Sequence, residues 1–317
     1  MLDVVTLGEA MIRLAAPYGE ALESARRLEV RVAGAEANVA VILARLGFRS
    51  GWISKLVDNP LGRRIVGEVR RHGVDVSAVV WSSQGRTGLY FIEHVPLPRG
   101  VAVHYDRTGS ACSTMTPEDV DWVYVRSARW VHVTGITPAL SASCARTTAR
   151  LLDEARACGV KISFDVNYRR KLWTAQQARA VLEPLLDGVE LVIATQEDAH
   201  EVFGLAGTPP DLAARLRDHV HAASAVITAG AGGAYLADGQ TVHHEPAVPG
   251  TEVDPIGRGD AFAAGLLWAA LEADLAVGLR YGVVLASLAQ AYRGDIPWVT
   301  RQDVLRTLAG RGTKPAR

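Results

Sequence analysis

The residues best suited to catalysis lie in one run, DPIGRGDAFAAG, at positions 254–265. Gly257, Arg258 and Gly259 form a glycine-rich turn, and apolar residues follow at 262, 263, 266, 267, 270 and 271, the spacing of a mostly buried helix. The free backbone N–H groups at a helix start bind anions, and an Asp260 carboxylate there can accept a hydroxyl proton. The run therefore predicts phosphoryl transfer to an alcohol, with Asp260 as the base. The alternative is that Asp260 only caps the helix.

A second polar run, DVNYR at positions 165–169, follows a strand-like segment. Asp165 and Asn167 offer the oxygen ligands that Mg²⁺ prefers, and Mg²⁺ usually keeps several of its waters. We therefore expect these two side chains to orient Mg²⁺-bound waters or phosphate.

Arginine and tyrosine side chains indicate the kind of substrate. Arg169 and Arg107 each carry a planar guanidinium group that suits a carboxylate or a phosphate. Together with Tyr90 and Tyr105 they indicate a small, anionic, hydroxylated substrate. The alternative for each arginine is an ion pair on the protein surface.

Gly34 and Asn38 lie where an extended segment leads into a helix that ends near Gly47. A glycine permits close approach of a ligand, and the Asn38 amide can both donate to and accept from a polyol. The other interpretation of Asn38 is a solvent-facing helix residue.

A glycine-rich loop, AGAGGA at positions 229–234, also follows a strand-like run. A dinucleotide-binding motif would need a helix after it. The residues that follow are instead strand-like and lead to Asp238-Gly239, which is typical of a hairpin. We therefore expect a hairpin that faces a nucleotide, or an ordinary turn.

Strand-like and helical runs alternate along most of the chain, which predicts a parallel sheet covered by helices on both faces. The strand-like runs are 4–7, 52–57, 130–134, 161–165, 191–194 and 225–228, and the helical runs are 61–71, 142–157, 175–186, 197–203 and about 211–221. Ligands of such sheets bind beyond the carboxyl ends of the strands, so the motifs at those ends are expected to meet.

Two segments, 11–32 and 87–106, break this alternation because both read as extended. We expect them to form a small antiparallel sheet that stands off the main domain, with a turn at 96–100. Such a flap excludes water from a phosphoryl-transfer site. An ordinary edge hairpin is the alternative.

Composition excludes several other classes of protein. The 317 residues are 49% hydrophobic and carry 34 basic and 34 acidic side chains, which argues against general attraction for nucleic acid or for a membrane. No stretch reaches the roughly 18 apolar residues of a membrane span, and a strand-like run at 4–7 leaves no room for a signal peptide. Three separated cysteines predict a cytoplasmic protein. The nine histidines lack metal-ligand spacing, and we interpret them as surface residues.

The chain resembles the ribokinase-like (PfkB) carbohydrate kinases over almost its whole length, from position 8 to position 295. The run from Gly34 through Asn38 into a helix is similar to the first signature of the family, and residues 254–265 are similar to the second. Within the family, GITPAL at 135–140 and DVNYR at 165–169 are similar to the runs of 2-keto-3-deoxygluconate kinases.

This resemblance implies a three-layer α/β/α sandwich with a mostly parallel central sheet and a small β-sheet lid. The kinase domain would comprise residues 1–10, 33–86 and 107–309, the lid 11–32 and 87–106, and a tail 310–317. Lids of this kind often meet in a dimer, so we expect a homodimer through the lid or a higher oligomer.

The resemblance also implies ATP-dependent phosphorylation of a hydroxyl on a small sugar acid, 2-keto-3-deoxygluconate, with Mg²⁺. The catalytic residues would be Asp260 with the turn residues Gly257, Arg258 and Gly259. The substrate-binding residues would be Gly34, Asn38, Tyr90, Tyr105, Arg107 and Arg169. The nucleotide-binding residues would be Asn167, Thr195, Thr228, Gly230 and Gly233, and Asp165 and Asp198 would reach the metal through water. The alternatives are a catalytically impaired sugar-acid binding protein on the same fold, or a kinase of another sugar such as fructose or ribose.

Departures from the family pattern lie on the nucleotide side. Position 258 is Arg where the family usually has Ala, Thr228 stands where relatives often carry Lys, Asp198 replaces a Glu, and Tyr281-Gly282 replaces an Asn. We expect Arg258 to supply a cation to the phosphates. The alternative is that its bulky side chain crowds the γ-phosphate. If the turn requires a positive φ at this position, Arg258 is strained instead.

Overall fold

The structure is a computed structural model that describes residues 1–95 and 99–310. Most of the predicted turn at 96–100 and of the predicted tail at 310–317 lies outside the described residues. Within them the chain forms one sheet of nine strands and one of four.

Strands and helices alternate along the chain, as the sequence predicts. The strands are β1 (Leu2–Leu7), β2 (Met11–Ala15), β3 (Glu29–Ala33), β4 (Ser50–Val57), β5 (Val79–Ser82), β6 (Leu89–Val95), β7 (Gly100–Asp106), β8 (Ala128–Thr134), β9 (Lys161–Asp165), β10 (Leu191–Thr195), β11 (Ser224–Thr228), β12 (Ala234–Asp238) and β13 (Thr241–Glu245). The helices are α1 (Ala35–Arg45), α2 (Pro60–Arg71), α3 (Trp122–Arg126), α4 (Ile136–Ala139), α5 (Ala142–Ala157), α6 (Ala175–Leu186), α7 (Gln196–Glu201), α8 (Pro209–His219), α9 (Arg258–Glu272), α10 (Leu275–Ala289) and α11 (Arg301–Leu308). No helix in the described part of the chain has the length and apolarity that a bilayer crossing requires.

The large sheet has the order β13-β12-β11-β10-β9-β8-β1-β4-β5. All neighbours from β11 to β5 are parallel, and only the edge hairpin of β12 and β13 is antiparallel. This hairpin follows the glycine-rich loop 229–234, so the prediction of a hairpin there is confirmed.

Helices cover both faces of this sheet. Val5 of β1 packs in a core cluster with residues of α5, α6 and α8, whereas Val4 packs in a second cluster with residues of α1, α9 and α10. Successive side chains of a strand point to opposite faces, so a strand that is apolar at every position is buried on both. The predicted three-layer arrangement is confirmed.

The small sheet has the order β3-β2-β6-β7. The antiparallel pairing of β6 with β7 is confirmed, but the prediction of a wholly antiparallel sheet is wrong, because β2 pairs with β6 in parallel. After β3 the chain crosses into the large sheet and returns only at β6. Strands joined by so long a crossover are free to run parallel. The division of the chain into a kinase domain and a lid stays a prediction.

Local capping explains why several element bounds match the sequence prediction to the residue. Ser141 caps α5 by accepting a hydrogen bond from the backbone N of Cys144 at 3.1 Å. Thr174 and Gln177 form a reciprocal capping box at the start of α6. The sequence patterns predict none of β5, α3, α10 and α11.

Burial of three histidines corrects another expectation. His72, His94 and His132 are buried, so their interpretation as surface residues is wrong. Burial lowers the pKa of His132 to about 3, which keeps its ring neutral.

Candidate active site

A tight bend at residues 254–257, called the α9 bend, leads into α9. Gly257 precedes the helix with φ 83°, in the left-handed region. A Cβ atom at position 257 would also lie 2.4 Å from the carbonyl oxygen of Asp295. Both the backbone angle and the close approach therefore require glycine at this position.

Asp260 lies in the first turn of α9 but does not cap it, since no side chain caps this helix. Its Oδ2 instead accepts a 2.6 Å hydrogen bond from Asn38 Nδ2 in α1. Burial raises the pKa of Asp260 to about 7, Asp295 adds to this effect, and the Asn38 hydrogen bond and Arg169 oppose it. A carboxyl group with a pKa near neutrality suits a general base.

Asp260 faces a first cavity of about 380 Å³ between α1, the small sheet and the carboxyl ends of the large-sheet strands. Thirteen of the predicted site residues line it: Gly34, Asn38, Tyr90, Tyr105, Arg107, Asp165, Asn167, Arg169, Thr195, Asp198, Gly257, Gly259 and Asp260. The structure therefore brings together residues that the sequence places up to 226 positions apart, from Gly34 to Asp260.

A second cavity of about 600 Å³ lies on the other side of the α9 start. Its lining includes the predicted residues Thr195, Thr228, Gly230, Gly233, Arg258 and Gly259. Thr195 and Gly259 line both cavities. The two spaces therefore adjoin beside the first turn of the helix that carries Asp260.

Arg258 points into the second cavity. It is exposed, with Nη1 3.4 Å from Gln290 Oε1 and 3.6 Å from Glu252 Oε2. Among the described residues, the non-glycine residues with positive φ are Asn167 and His221, so Arg258 is not strained. The possible strain considered from the sequence is absent.

Gly34 is required by packing. A Cβ atom at this position would lie 2.1 Å from the carbonyl oxygen of Glu9. Its backbone N lies 3.4 Å from the acceptor Asn38 Oδ1, so one Asn38 amide spans Gly34 and Asp260.

The predicted substrate-binding side chains differ in their burial and in whether another side chain of the protein already binds them. Tyr90 is buried and donates a 2.8 Å hydrogen bond to Asp295 Oδ1. Arg107 is also buried, and its Nε donates to Glu9 Oε2 at 2.7 Å. Arg169 is exposed and pairs with no carboxylate in the described part of the chain, while Tyr105 is 41% exposed. Arg169 is therefore the arginine whose fork remains for an anionic ligand.

Carboxylates crowd the end of β9. Burial raises the pKa of Asp165 to about 8, and Asp198 and Asp260 add to this effect. Asn167 Nδ2 donates to Asp165 Oδ2 at 3.1 Å, and Asn167 lines the first cavity rather than the second. Mutual repulsion of this kind favours a bound cation.

Asp198 and Thr195 also have a local structural role. They form the capping box of α7, in which the backbone N of Thr195 donates to Asp198 Oδ2 at 3.1 Å. No group of three metal-ligating side chains is assembled within residues 1–95 and 99–310. The oxygen donors at this place therefore fit a metal held through water better than one held directly.

Three acidic residues of the first cavity have no role in the sequence prediction: Glu9, Glu36 and Asp295. Glu36 is buried and accepts hydrogen bonds from the hydroxyl groups of Thr134 at 2.8 Å and Thr137 at 2.7 Å. Burial raises the pKa of Glu36. Its place in the run Gly34-Ala35-Glu36 was the available signal, whereas Asp295 has no local signal.

Comparisons with known proteins identify the family of the chain. A profile of the pfkB family carbohydrate kinases matches residues 1–301. The chain is 41% identical over 309 residues to the 2-dehydro-3-deoxygalactonokinase of Haloferax volcanii, covering 97% of each chain. It is 34% identical over 299 residues to the 2-dehydro-3-deoxygluconokinase of Thermoproteus tenax, covering 93% of this chain and 90% of that one.

A solved structure shows the same fold. The crystal structure of 2-dehydro-3-deoxygluconokinase from Thermotoga maritima matches with a TM-score of 0.92 at 29% identity, covering 98% of this chain and 100% of that one. Together with the family profile and the curated relatives, this likeness confirms the predicted ribokinase-like fold and kinase activity. The chain belongs to the pfkB family of carbohydrate kinases.

Proposed function

We propose that the protein transfers the γ-phosphoryl group of ATP to a hydroxyl of a 2-dehydro-3-deoxy sugar acid. The acid is the gluconate, also named 2-keto-3-deoxygluconate, or its galactonate epimer, as in the relatives from Thermoproteus tenax and Haloferax volcanii. The position of Asp260 carries this proposal, because its carboxylate faces one cavity while the helix start adjoins a second. This is the arrangement that transfer between two bound substrates needs.

The chemistry follows from these positions. The substrate hydroxyl gives its proton to Asp260, its oxygen forms a bond to the γ-phosphorus, and the bond between that phosphorus and the bridging oxygen of ADP breaks. Backbone N–H groups of Gly257, Arg258, Gly259 and Asp260 stabilise the charge on the transferred group. A pKa of about 7 leaves Asp260 able to take the proton at neutral pH.

Recognition of the sugar acid is assigned to the first cavity. Arg169, with Arg107 as a second cation, binds the substrate carboxylate. Its hydroxyl groups are contacted by Gly34, Asn38, Tyr90 and Tyr105. The exposed Arg169 fork, which pairs with no carboxylate among residues 1–95 and 99–310, supports this assignment.

Nucleotide binding is assigned to the second cavity, with Thr195, Thr228, Gly230 and Gly233 along the nucleotide and Asn167 at its phosphate end. Asp165 and Asp198 hold Mg²⁺ through water. When bound, Mg²⁺ neutralises negative charge on the triphosphate. The raised pKa of Asp165, about 8, supports a cation at this place.

We further propose a cytoplasmic homodimer, or a higher oligomer, that associates through the small sheet. Val30, Val101 and Tyr105 of that sheet are 37%, 39% and 41% exposed, whereas Leu89 and Phe91 are partly buried. Exposed apolar residues on the two edge strands of one sheet, β3 and β7, favour self-association. Nucleic acids and membranes are not expected partners, because the sequence carries zero formal net charge.

An ADP-release assay with MgATP and a panel of sugars tests the activity. The panel contains the two 2-dehydro-3-deoxy acids, fructose and ribose, each with and without EDTA. We expect turnover with one or both acids and its loss with EDTA. The names of the relatives do not favour the alternatives. Tight binding of a sugar acid without turnover would support the catalytically impaired binding protein. Turnover only with fructose or ribose would support a kinase of another sugar.

A further inference from the structure

Five buried side chains meet where the small sheet contacts the α9 bend. This Arg13 cluster consists of Arg13, Tyr90, His94, Asp254 and Asp295, all of which are at most 9% exposed. Arg13, Tyr90 and His94 come from β2 and β6, and the two carboxylates come from loops on either side of α9 and α10. The cluster therefore joins the small sheet to the segment that presents Asp260.

Arg13 is the bridge within this cluster. One terminal nitrogen, Nη1, donates to Asp295 and the other, Nη2, donates to Asp254, so a single guanidinium group neutralises two buried carboxylates. Burial raises the pKa of Asp254, but contact with His94 and the charge of Arg13 outweigh it and bring this pKa to about 2. Removing the guanidinium would leave both carboxylates buried without their cation.

Asp254 transmits this contact to the bend. Its Oδ1 accepts a 3.1 Å hydrogen bond from the backbone N of Ile256, and its Oδ2 accepts a 2.9 Å hydrogen bond from the backbone N of Gly294. The first contact sets the path of the chain into Gly257. The second ties that path to the loop before Asp295.

Asp295 approaches the same bend, because its carbonyl oxygen lies 2.4 Å from the place that a Cβ atom at position 257 would take. Arg13 therefore holds the side chains of two residues that contact the turn at the start of α9, Asp254 through its carboxylate and Asp295 through its backbone. No other basic side chain in the described part of the chain pairs with either carboxylate, apart from His94 at 3.2 Å from Asp254.

We propose that Arg13 is a positioning residue for Asp260, holding the α9 bend at the distance from the small sheet that phosphoryl transfer requires. The inference rests on the proposed function for its kinetic consequence, but the structural link itself does not. Misplacing a catalytic group by about 1 Å can cost about 10²-fold in rate. Arg13 itself does not line either of the two cavities, so its effect passes through Asp254 and Asp295.

The kinetic test compares Arg13→Met, Arg13→Lys and a control, Arg99→Met, which removes the ion pair between the exposed Arg99, just before β7, and the buried Glu93 of β6. We expect kcat of Arg13→Met to fall about 10- to 100-fold, since the base is misplaced. KM for ATP should rise less than kcat falls, because Thr228, Gly230 and Gly233 of the second cavity lie outside the α9 bend. Arg13→Lys should restore part of kcat. An unchanged kcat, or a loss equal to that of Arg99→Met, overturns the proposal.

A double variant tests whether Arg13 acts through Asp254. Asp254→Asn alone should lower kcat, and Arg13→Met with Asp254→Asn should lose no more than Arg13→Met alone, because the pair acts as one unit. Losses that multiply would show that the two residues act independently, against the proposal.

Hydrogen exchange keeps the test independent of turnover. Amides of residues 256–262 should exchange faster in Arg13→Met than in wild-type protein, with no change in Arg99→Met. If wild-type protein turns over no acid of the panel, the proposed function fails while this comparison still decides the inference. Equal exchange rates in the three proteins overturn it.

Discussion

Asn38 Nδ2 donates a 2.6 Å hydrogen bond to Asp260 Oδ2, which links the first turn of α1 to the first turn of α9. The same amide faces Gly34 through its oxygen, at 3.4 Å from the backbone N. The two sequence signatures, which lie more than 200 positions apart, therefore meet at one carboxyl group. This link fixes the direction in which Asp260 presents its second oxygen to the cavity.

Replacing the base should abolish most turnover. Asp260→Asn keeps the size of the side chain but cannot accept the hydroxyl proton, so we expect kcat to fall by about 10²- to 10⁴-fold. Binding of the sugar acid, measured by calorimetry, should persist. Asp211→Asn, in the first turn of α8 and outside both cavities, serves as the matched control with unchanged kcat. Retained activity in Asp260→Asn would remove this residue from the mechanism.

The pH profile should report the state of Asp260. Below its pKa of about 7 the carboxyl group is protonated and cannot act as a base, so kcat/KM should fall on the acid side of about pH 7. The Asn38 hydrogen bond stabilises the charged form, so Asn38→Ala should raise this pKa and move the acid limb to higher pH. Asn59→Ala, which removes the cap of α2 instead, should leave the limb in place. A shift to lower pH would contradict the assignment.

The Arg258→Ala variant tests whether the Arg258 side chain assists nucleotide binding as a cation or obstructs it. Since it points into the second cavity, Arg258→Ala should raise KM for ATP or lower kcat, with little effect on binding of the sugar acid. Arg280→Ala provides a control, because Arg280 lies on α10 and pairs with Glu245 at 3.7 Å. Faster turnover in Arg258→Ala would show that the side chain hinders the nucleotide.

Asp165 should make the protein less stable as pH rises. Its pKa in the folded protein is about 8, above the ordinary 3.8, so between these values the folded state binds the proton more tightly and stability falls with increasing pH. Asp165→Asn lacks this titration. We therefore expect its Tm to exceed that of wild-type protein more at pH 8 than at pH 5, as measured by thermal unfolding. An equal difference at both pH values would be incompatible with the raised pKa.

Thermal unfolding also tests the metal site. Mg²⁺ stabilises whichever protein it binds, so MgCl₂ at pH 8 should raise the Tm of wild-type protein more than that of Asp165→Asn. Identical shifts would show that Asp165 does not help to hold the ion.

Elements with local signals were predictable from the sequence. The bounds of α5, β9 and α6 match their predictions. The two helices begin directly after their N-cap residues, Ser141 and Thr174, which stand next to the apolar pattern in the sequence. The turn before Asp260 was predictable for the same reason, since glycine, acid and helical stripe lie in one run.

Contacts between distant residues were not predictable. Arg13 lies 241 positions from Asp254 and 282 from Asp295, and an arginine in a short strand ordinarily indicates a solvent-facing position. Glu36 likewise finds Thr134 and Thr137 at separations of 98 and 101. The parallel pairing of β2 with β6 depends on a crossover through the large sheet, which no local pattern encodes.

Sequence variation at the start of α9 should be uneven. At position 258 the backbone lies in an ordinary region, and a methyl group added at Gly259 would meet open space. Gly257 is different, because its positive φ angle disfavours any side chain and a Cβ atom there would clash with the carbonyl oxygen of Asp295. A substitution at 257 would require both a new backbone conformation in the bend and a shift of the loop at Asp295, and these two segments are separated by α9 and α10. We therefore expect Gly257 to be unchanged among related sequences, while positions 258 and 259 vary.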